Sequence, residues 1–323
     1  MAQGSRQYEC IVFGATGYTG KYTAEHITTH LPADFRWAVA GRSESKLKAL
    51  VDELKSMNAD RQPPNIEVAQ LDKHDLVNLA KKTKILITTV GPYHLCGTPV
   101  MDACAETGTH YLDVSGEVPW VYDMVHKYHE TAKKNGAIVI PQNGIESAPT
   151  DLMCWMLVNF IREQLNVGTK EVVHNCHEFQ ASASGGTLAT MLSLFDAYSL
   201  SYFAKASEPW SMCPVTPPKQ ASQKSVFEKI TGVRFVERLG TLTDSIQGPA
   251  DIPIVHRSWG LYDEGRYYGE NFHLSTYMTA RNSLTGFAWH VGLTSAFLSL
   301  VLPPTRWLLR RFVYEPGDGP TKE

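Results

Sequence analysis

Three glycines in seven residues, Gly14, Gly17 and Gly20, separate an apolar run from a helical pattern in "ECIVFGATGYTGKYTAEHI" (9–27). No other stretch restricts the fold as tightly. A short run rich in Val and Ile that stops on glycine and resumes as a helix reads as a strand–turn–helix unit. Backbone amides in such a turn can be approached closely because no Cβ intervenes, and the following helix start carries roughly half a positive charge. The turn is expected to hold a phosphate group, with Thr16, Tyr18 and Thr19 inside it. A tight turn without any ligand would use the same glycines, so the surrounding pattern has to decide.

That pattern is a βα alternation. "CIVFGA" (10–15), "RWAVAG" (36–41), "IEVAQLD" (66–72), "KILITTVG" (84–91), "HYLDVSG" (110–116) and "AIVIPQNG" (137–144) read as buried strands. The segments between them carry helix-period apolar positions. Strands alternating with helices through short connections imply a parallel sheet covered on both faces. The fold class expected is α/β: a doubly wound Rossmann domain over 1–150, then an α+β substrate domain over 151–285 and an apolar helical segment with a tail over 286–323. A length of 323 residues is compatible with two domains. In the later part, "PTDLMCWMLVNFIREQL" reads as an apolar helix after Pro149, "EVVHNCHEFQ" as a strand, and "SEPWSMCPVTPPKQASQKS" as a surface loop.

The glycine spacing is G-x-x-G-x-x-G, a variant common among reductases that use NADPH. At the end of the second strand, where an NAD site places a carboxylate, the chain offers Gly41, Arg42, Ser43 and Lys46. Cations and a hydroxyl there predict a 2′-phosphate, so NADPH is the expected cofactor, with Arg42 as a simple helix-start residue the alternative. Asp72 is expected at the adenine, and Thr88, Val90, Gly91 and Pro92 beside the ribose and nicotinamide. Tyr93 and His94 in "GPYHLCG" are the catalytic candidates. Tyr93 reads equally as a proton donor or a packed aromatic, and His94 as a group titrating near neutral pH or a surface histidine. Ser115, Glu117, Asn143, Ser184 and Gly185 are expected to line the substrate. Asp113 reads as site-lining or as a helix cap, and Asp151 as a helix-start carboxylate. His174 and His177, three apart on a strand, point to opposite faces, so no metal is expected.

"VFGATGYTG", "WAVAGRS", "VGPYHLCGTPVMDACAETGTHYLDVSGE" and "GIESAPTDL" together resemble the saccharopine dehydrogenase-like oxidoreductases, including their trans-acting enoyl reductase branch. The resemblance runs over essentially the whole chain. It implies a Rossmann domain, a second α+β domain and often NADPH; relatives of this type usually continue past the point where this sequence stops. The function it suggests is NADPH-dependent reduction of a C=C or C=N bond in a hydrophobic metabolite or polyketide-like intermediate. A redox-neutral isomerase or cyclase, or a non-catalytic nucleotide-binding scaffold at a membrane, are the alternatives.

A net charge of −3 gives no basic field for nucleic acid. Six scattered cysteines without C-x-x-C spacing, and an N-terminus without a secretory pattern, read as an intracellular protein, cytoplasmic or on a lipid surface. Residues 287–311 are apolar and end in Trp307, Arg310 and Arg311. They suit peripheral membrane contact, a buried helix or a homodimer interface.

Overall fold

The computed structural model describes residues 6–178, 185–216 and 224–309. Its first strand, β1 (Tyr8–Phe13), is buried along nearly its whole length, as a strand covered on both faces must be. It sits inside a six-stranded sheet of order β3-β2-β1-β4-β5-β6, in which every pairing is parallel. The other strands are β2 (Trp37–Gly41), β3 (Asn65–Val68), β4 (Thr83–Thr88), β5 (His110–Asp113) and β6 (Val139–Ile140). Parallel neighbours need crossovers, supplied by α1 (Tyr18–His30), α2 (Glu44–Met57), α3 (Lys73–Lys82), α4 (Tyr93–Thr107) and α5 (Val118–Asn135). The strand order reverses between β1 and β4, where doubly wound sheets open a crevice at their carboxyl edge. The expected Rossmann architecture is therefore present.

On one side of this sheet Val12, Trp37 and Val39 meet Ala24 and Ile27 of α1 and Leu47, Leu50, Val51 and Leu54 of α2. The α2 positions fall at i, i+3, i+4 and i+7, one helical stripe. Two elements depart from the sequence pattern. β6 has only two paired residues because Pro141 follows Ile140 and has no N–H for the ladder. α4 starts at Tyr93, five residues before the helical pattern becomes readable at Thr98, despite Gly97 and Pro99 within it. Gly97 is required by packing: a Cβ there would come within 2.7 Å of the Trp120 ring.

The chain divides into two compact units. Unit 1 holds the described residues up to Asn143 and the beginning of α7 through Met191; unit 2 holds Gly144 to Glu178 and the described residues from Leu192 onward. The remaining elements are α6 (Ala148–Leu165), β7 (Glu171–Cys176), α7 (Gly185–Ala197), α8 (Leu200–Ala206), α9 (Val226–Thr231), β8 (Val233–Val236), β9 (Gly240–Asp244), α10 (Gly248–Leu261), β10 (His273–Thr279), α11 (Ser283–Val301) and α12 (Pro303–Leu309). Their strands form a second sheet of order β7-β10-β9-β8, parallel at β7–β10 and antiparallel elsewhere. Cys154 and Val158 of α6, Val255 and Trp259 of α10, and Val172, Tyr268, Phe272 and Leu274 form the core of unit 2.

α11 is apolar on every side. Its most apolar 18-residue window has a mean hydropathy of 1.4, and only 6% of that window is buried. At 1.5 Å per residue it is ~28 Å long, close to the ~30 Å hydrocarbon thickness of a bilayer. Leu284, Phe287, Val291 and Leu298 are exposed along it. Its first half is tied to β9, where the Trp289 indole donates to the Asp244 carbonyl (3.0 Å) and His290 Nδ1 lies 2.5 Å from the Asp244 carboxylate.

Candidate cofactor-binding and active site

The turn after β1 is shaped by its neighbours. Gly14 has φ +85°, and a Cβ there would lie 2.7 Å from Val90 Cγ2, so both backbone and packing demand glycine. Gly20 is equally confined, because its Cβ would sit 2.8 Å from Ala15 Cα and from Thr89 Oγ1. Gly17 differs. Its φ of −79° and ψ of 168° suit any residue, and the closest atom to a Cβ would be the Gly14 carbonyl oxygen at 3.3 Å. A Cβ there would press on that one backbone oxygen alone, which would have to give by a few tenths of an ångström. Gly17 is also the N-cap of α1, with no side chain capping the helix and no acidic residue in its first turn. A helix start that no side chain caps, with the positive end of its dipole uncompensated by an acidic residue, is suited to an anion. Thr16 and Thr19 are exposed beside it, and Tyr18 is half-buried, its ring against Tyr22.

At the end of β2, Arg42 and Lys46 are exposed and Ser43 is the N-cap of α2. Glu44, the nearest acid, is paired with Lys48 at 2.7 Å. Among the described residues no carboxylate pairs with Arg42 or Lys46. This is a small site of positive charge and hydroxyls adjoining the glycine turn, since the Gly14 N–H donates to the Ala40 carbonyl (2.9 Å). These residues fit a dinucleotide: a bare, uncapped helix start for the pyrophosphate and unpaired cations one strand away. Asp72 is the N-cap of α3, where its carboxylate accepts the Asp75 N–H at 3.0 Å.

The β4–α4 connection forms the next wall. Thr88 is buried, and its hydroxyl oxygen accepts the Val90 N–H; Gly91 is exposed, and the Gly91–Pro92 peptide is cis. Of the two readings of Tyr93, proton donor or packed aromatic, its position is that of the packed aromatic. Its ring is buried, its hydroxyl donates to the Thr88 carbonyl (3.1 Å), and burial, with the nearby Asp113 carboxyl, pushes the phenol well above its usual range. His94, expected as either a titrating group or a surface residue, is not on the surface: its side chain is 2% exposed.

What binds this wall is Glu117, the N-cap residue of α5. Its carboxylate accepts the Tyr93 N–H at 2.6 Å and the His94 N–H at 2.7 Å, and lies 2.6 Å from His94 Nδ1. A carboxylate at the first two N–H groups of α4 satisfies orphan donors and meets the helix dipole with the favourable sign. Glu117 therefore holds the turn rather than presenting both oxygens to a substrate. Ser115 likewise turns inward, donating its hydroxyl to Asp113 (2.7 Å). Asp113 is a buried junction: one oxygen also accepts the Gln142 N–H (2.9 Å), and the other accepts the Tyr111 hydroxyl (2.7 Å). Burial raises its carboxyl. Asn143 joins the same junction through its N–H to the Asp113 carbonyl (2.8 Å).

Gln142 is not singled out by the sequence. It has φ +59°, is 2% exposed, and its side-chain amide has no hydrogen-bond partner among the described residues. A left-handed non-glycine residue is the kind of signal that only coordinates reveal. Ser184 lies outside the described residues, and Gly185 opens α7. All six cysteines are free thiols.

A parallel sheet with a bare glycine turn at its switch point defines an NAD(P)-binding oxidoreductase domain. Residues 10–140 match the saccharopine dehydrogenase NADP-binding domain. A trans-acting enoyl reductase of Mycobacterium ulcerans (strain Agy99) is 30% identical over a 349-residue alignment spanning 100% of this chain and 79% of its own. A Mycobacterium tuberculosis (strain ATCC 25618 / H37Rv) relative, whose name gives the same activity provisionally, is 32% identical over 335 residues, 98% of this chain and 77% of its own. Among solved structures, the apo saccharopine dehydrogenase (L-Glu forming) of Saccharomyces cerevisiae aligns with a TM-score of 0.37 and 12% identity, over 52% of this chain and 34% of its own. The chain belongs to the saccharopine dehydrogenase-like reductases, in the trans-acting enoyl reductase branch.

Proposed function

We propose that the protein uses NADPH to reduce a C=C bond, or a C=N bond, in a hydrophobic acyl or polyketide-like intermediate. The observation that carries this reading is the bare, uncapped start of α1 at Gly17 beside the unpaired cations Arg42 and Lys46. The α1 N–H groups would hold the pyrophosphate, and Arg42, Ser43 and Lys46 the 2′-phosphate, which selects NADPH over NADH. Val90, Gly91 and Pro92 would flank the nicotinamide end. Bound NADPH supplies a hydride. The chain's own contribution is to bind, to hold the β4–α4 wall through Glu117, and to supply a proton. The proton would come from His94, whose Nδ1 lies 2.6 Å from the Glu117 carboxylate and whose Nε2 is buried, so the role requires the substrate to reach that atom inside the fold. The enoyl class is that named for the relatives. The lipophilic class is supported by α11, whose apolar surface suits a lipid interface at which such a substrate would be met.

Two measurements test this together. Calorimetric titration should give tighter binding of NADPH than of NADH. The nicotinamide absorbance should then fall when α,β-unsaturated acyl thioesters of increasing chain length are added. Binding without NADPH consumption by any enoyl thioester or imine would sink the reductase reading.

A further inference from the structure

Unit 2 contains a second concentration of titratable groups that the reductase reading does not use. α6 and α10 begin alike, as Ala148-Pro149-Thr150-Asp151 and Gly248-Pro249-Ala250-Asp251. Each proline is the second helical residue, where its missing N–H costs nothing. Each aspartate is the fourth, and each is bonded by a hydroxyl of the opposite helix. The Thr150 hydroxyl of α6 donates to Asp251 Oδ2 at 2.8 Å. The Ser258 hydroxyl of α10 donates to Asp151 Oδ2, also at 2.8 Å. The start of α6 is thus tied to both the first and the last turn of α10.

The remaining oxygens are unusual. Asp151 Oδ1 and Asp251 Oδ1 are both inaccessible and have no hydrogen-bond partner among the described residues. Asp251 is fully buried. Glu146, from the segment before α6, faces the same junction and adds a third carboxyl. The other titratable groups around it are Cys154 of α6, whose thiol burial pushes up to about 12, and Tyr268 from the segment before β10. From β10, Thr276 lies against the start of α10. Among the described residues no Lys, Arg or His is bonded to or ion-paired with Asp151, Asp251 or Glu146. A buried carboxylate without a cation is costly, and protonation is the usual escape. The shifts agree in direction: burial is the main cause in each case, raising Asp151 to about 6 and Asp251 to about 7, with Glu146 and Asp151 adding like-charge repulsion at Asp251.

We propose that the α6–α10 junction is a proton-binding site: Asp151 and Asp251 hold protons on their free oxygens while the two helices stay tied by the Thr150 and Ser258 hydroxyls, and losing those protons loosens the junction. The bond changes are simple. One O–H breaks at each carboxyl, the proton goes to solvent, and two like charges remain with no cation paired to either among the described residues.

The sign follows from linkage. The folded state binds more protons than the unfolded chain between the ordinary aspartate range and about pH 7, so stability falls as pH rises through that window. The test is thermal unfolding of the full chain from about pH 6 to about pH 8.5, for the wild type, Asp251→Asn and Asp151→Asn, with infrared detection of the protonated-carboxyl carbonyl stretch. The wild-type Tm should fall by roughly 3 °C or more across that range. Asp251→Asn should flatten the profile and exceed the wild type at the alkaline end. The carboxyl band should be present at the acid end and weaken with rising pH, a measurement that requires no variant to fold. Three outcomes would overturn the proposal: no such band at about pH 6; an unchanged slope in both variants; or a wild-type Tm restored at the alkaline end by KCl or MgCl2, which would assign the charge balance to a bound cation instead.

Discussion

Gly17 separates what the fold needs from what a ligand needs. Gly14 and Gly20 are fixed by a positive φ and by crowding, whereas Gly17 is close only to a carbonyl oxygen at 3.3 Å. Gly17→Val should therefore leave folding nearly intact and abolish binding of both NADPH and NADH, read by calorimetry alongside an unfolding curve. Tight binding by a folded Gly17→Val variant would move the pyrophosphate elsewhere. Arg42→Asp should weaken NADPH by roughly 10- to 100-fold, the range of a lost charge-assisted hydrogen bond, and NADH far less. Equal losses would remove Arg42 from the phosphate pocket. These residues are legible in the sequence because their chemistry is local: three glycines within seven positions, and a cation where an NAD site would place an acid. Glu117 reads there as a substrate contact because its partners, Tyr93 and His94, lie more than twenty positions earlier in the chain. Asp251 carries no signal at all, since its partner Thr150 lies 101 residues away.

At the scale of elements, unbroken Val and Ile runs mark the buried strands, and an apolar stripe marks the crossover helices. The start of α4 has no such mark. Gly97 and Pro99 read as loop, and the features that override them, a carboxylate cap from α5 and a Trp120 ring against Gly97, are tertiary. Glu117→Gln tests that cap. One of its two acceptor oxygens becomes an N–H2 that faces a donor, which should destabilise the protein by about 2 kcal/mol, measured by urea unfolding. An unchanged midpoint would mean that α4 stands without Glu117. For α11 the pattern is legible but ambiguous, because an apolar helix reads alike whether lipid or protein covers it. Its exposure among the described residues leaves lipid or a second copy of the chain to cover it. Flotation with anionic vesicles should recover the wild type, and Phe287→Asp with Leu298→Asp, both on the exposed side, should abolish recovery. Recovery unaffected by the double substitution would reject α11 as the contact.

For the whole molecule, pH sets two opposing limits, both lodged in unit 2. The junction carboxyls favour the acid side. His256 opposes them: it is buried between Trp210 and Phe272, and burial pushes its imidazole down to about 4. A base held neutral in the folded state loses ground when the unfolded chain can take up the proton, so its contribution is complete above about pH 6.5 and declines as pH falls toward its folded value. The difference between those two values corresponds to about 3 kcal/mol at full expression. In the wild type the two effects partly cancel on the acid side of neutrality, where one falls as the other rises. His256→Phe should unmask the carboxyls: its Tm should decline steadily as pH rises from about 5 to about 8, where the wild type first holds level. His256 Nδ1 lies 2.7 Å from the Ile252 carbonyl, and losing that bond lowers the whole curve without changing its slope, so the slope is the informative quantity. A variant profile parallel to the wild type would show that His256 is not the group that opposes the carboxyls, and would leave the acid limb to groups outside this core.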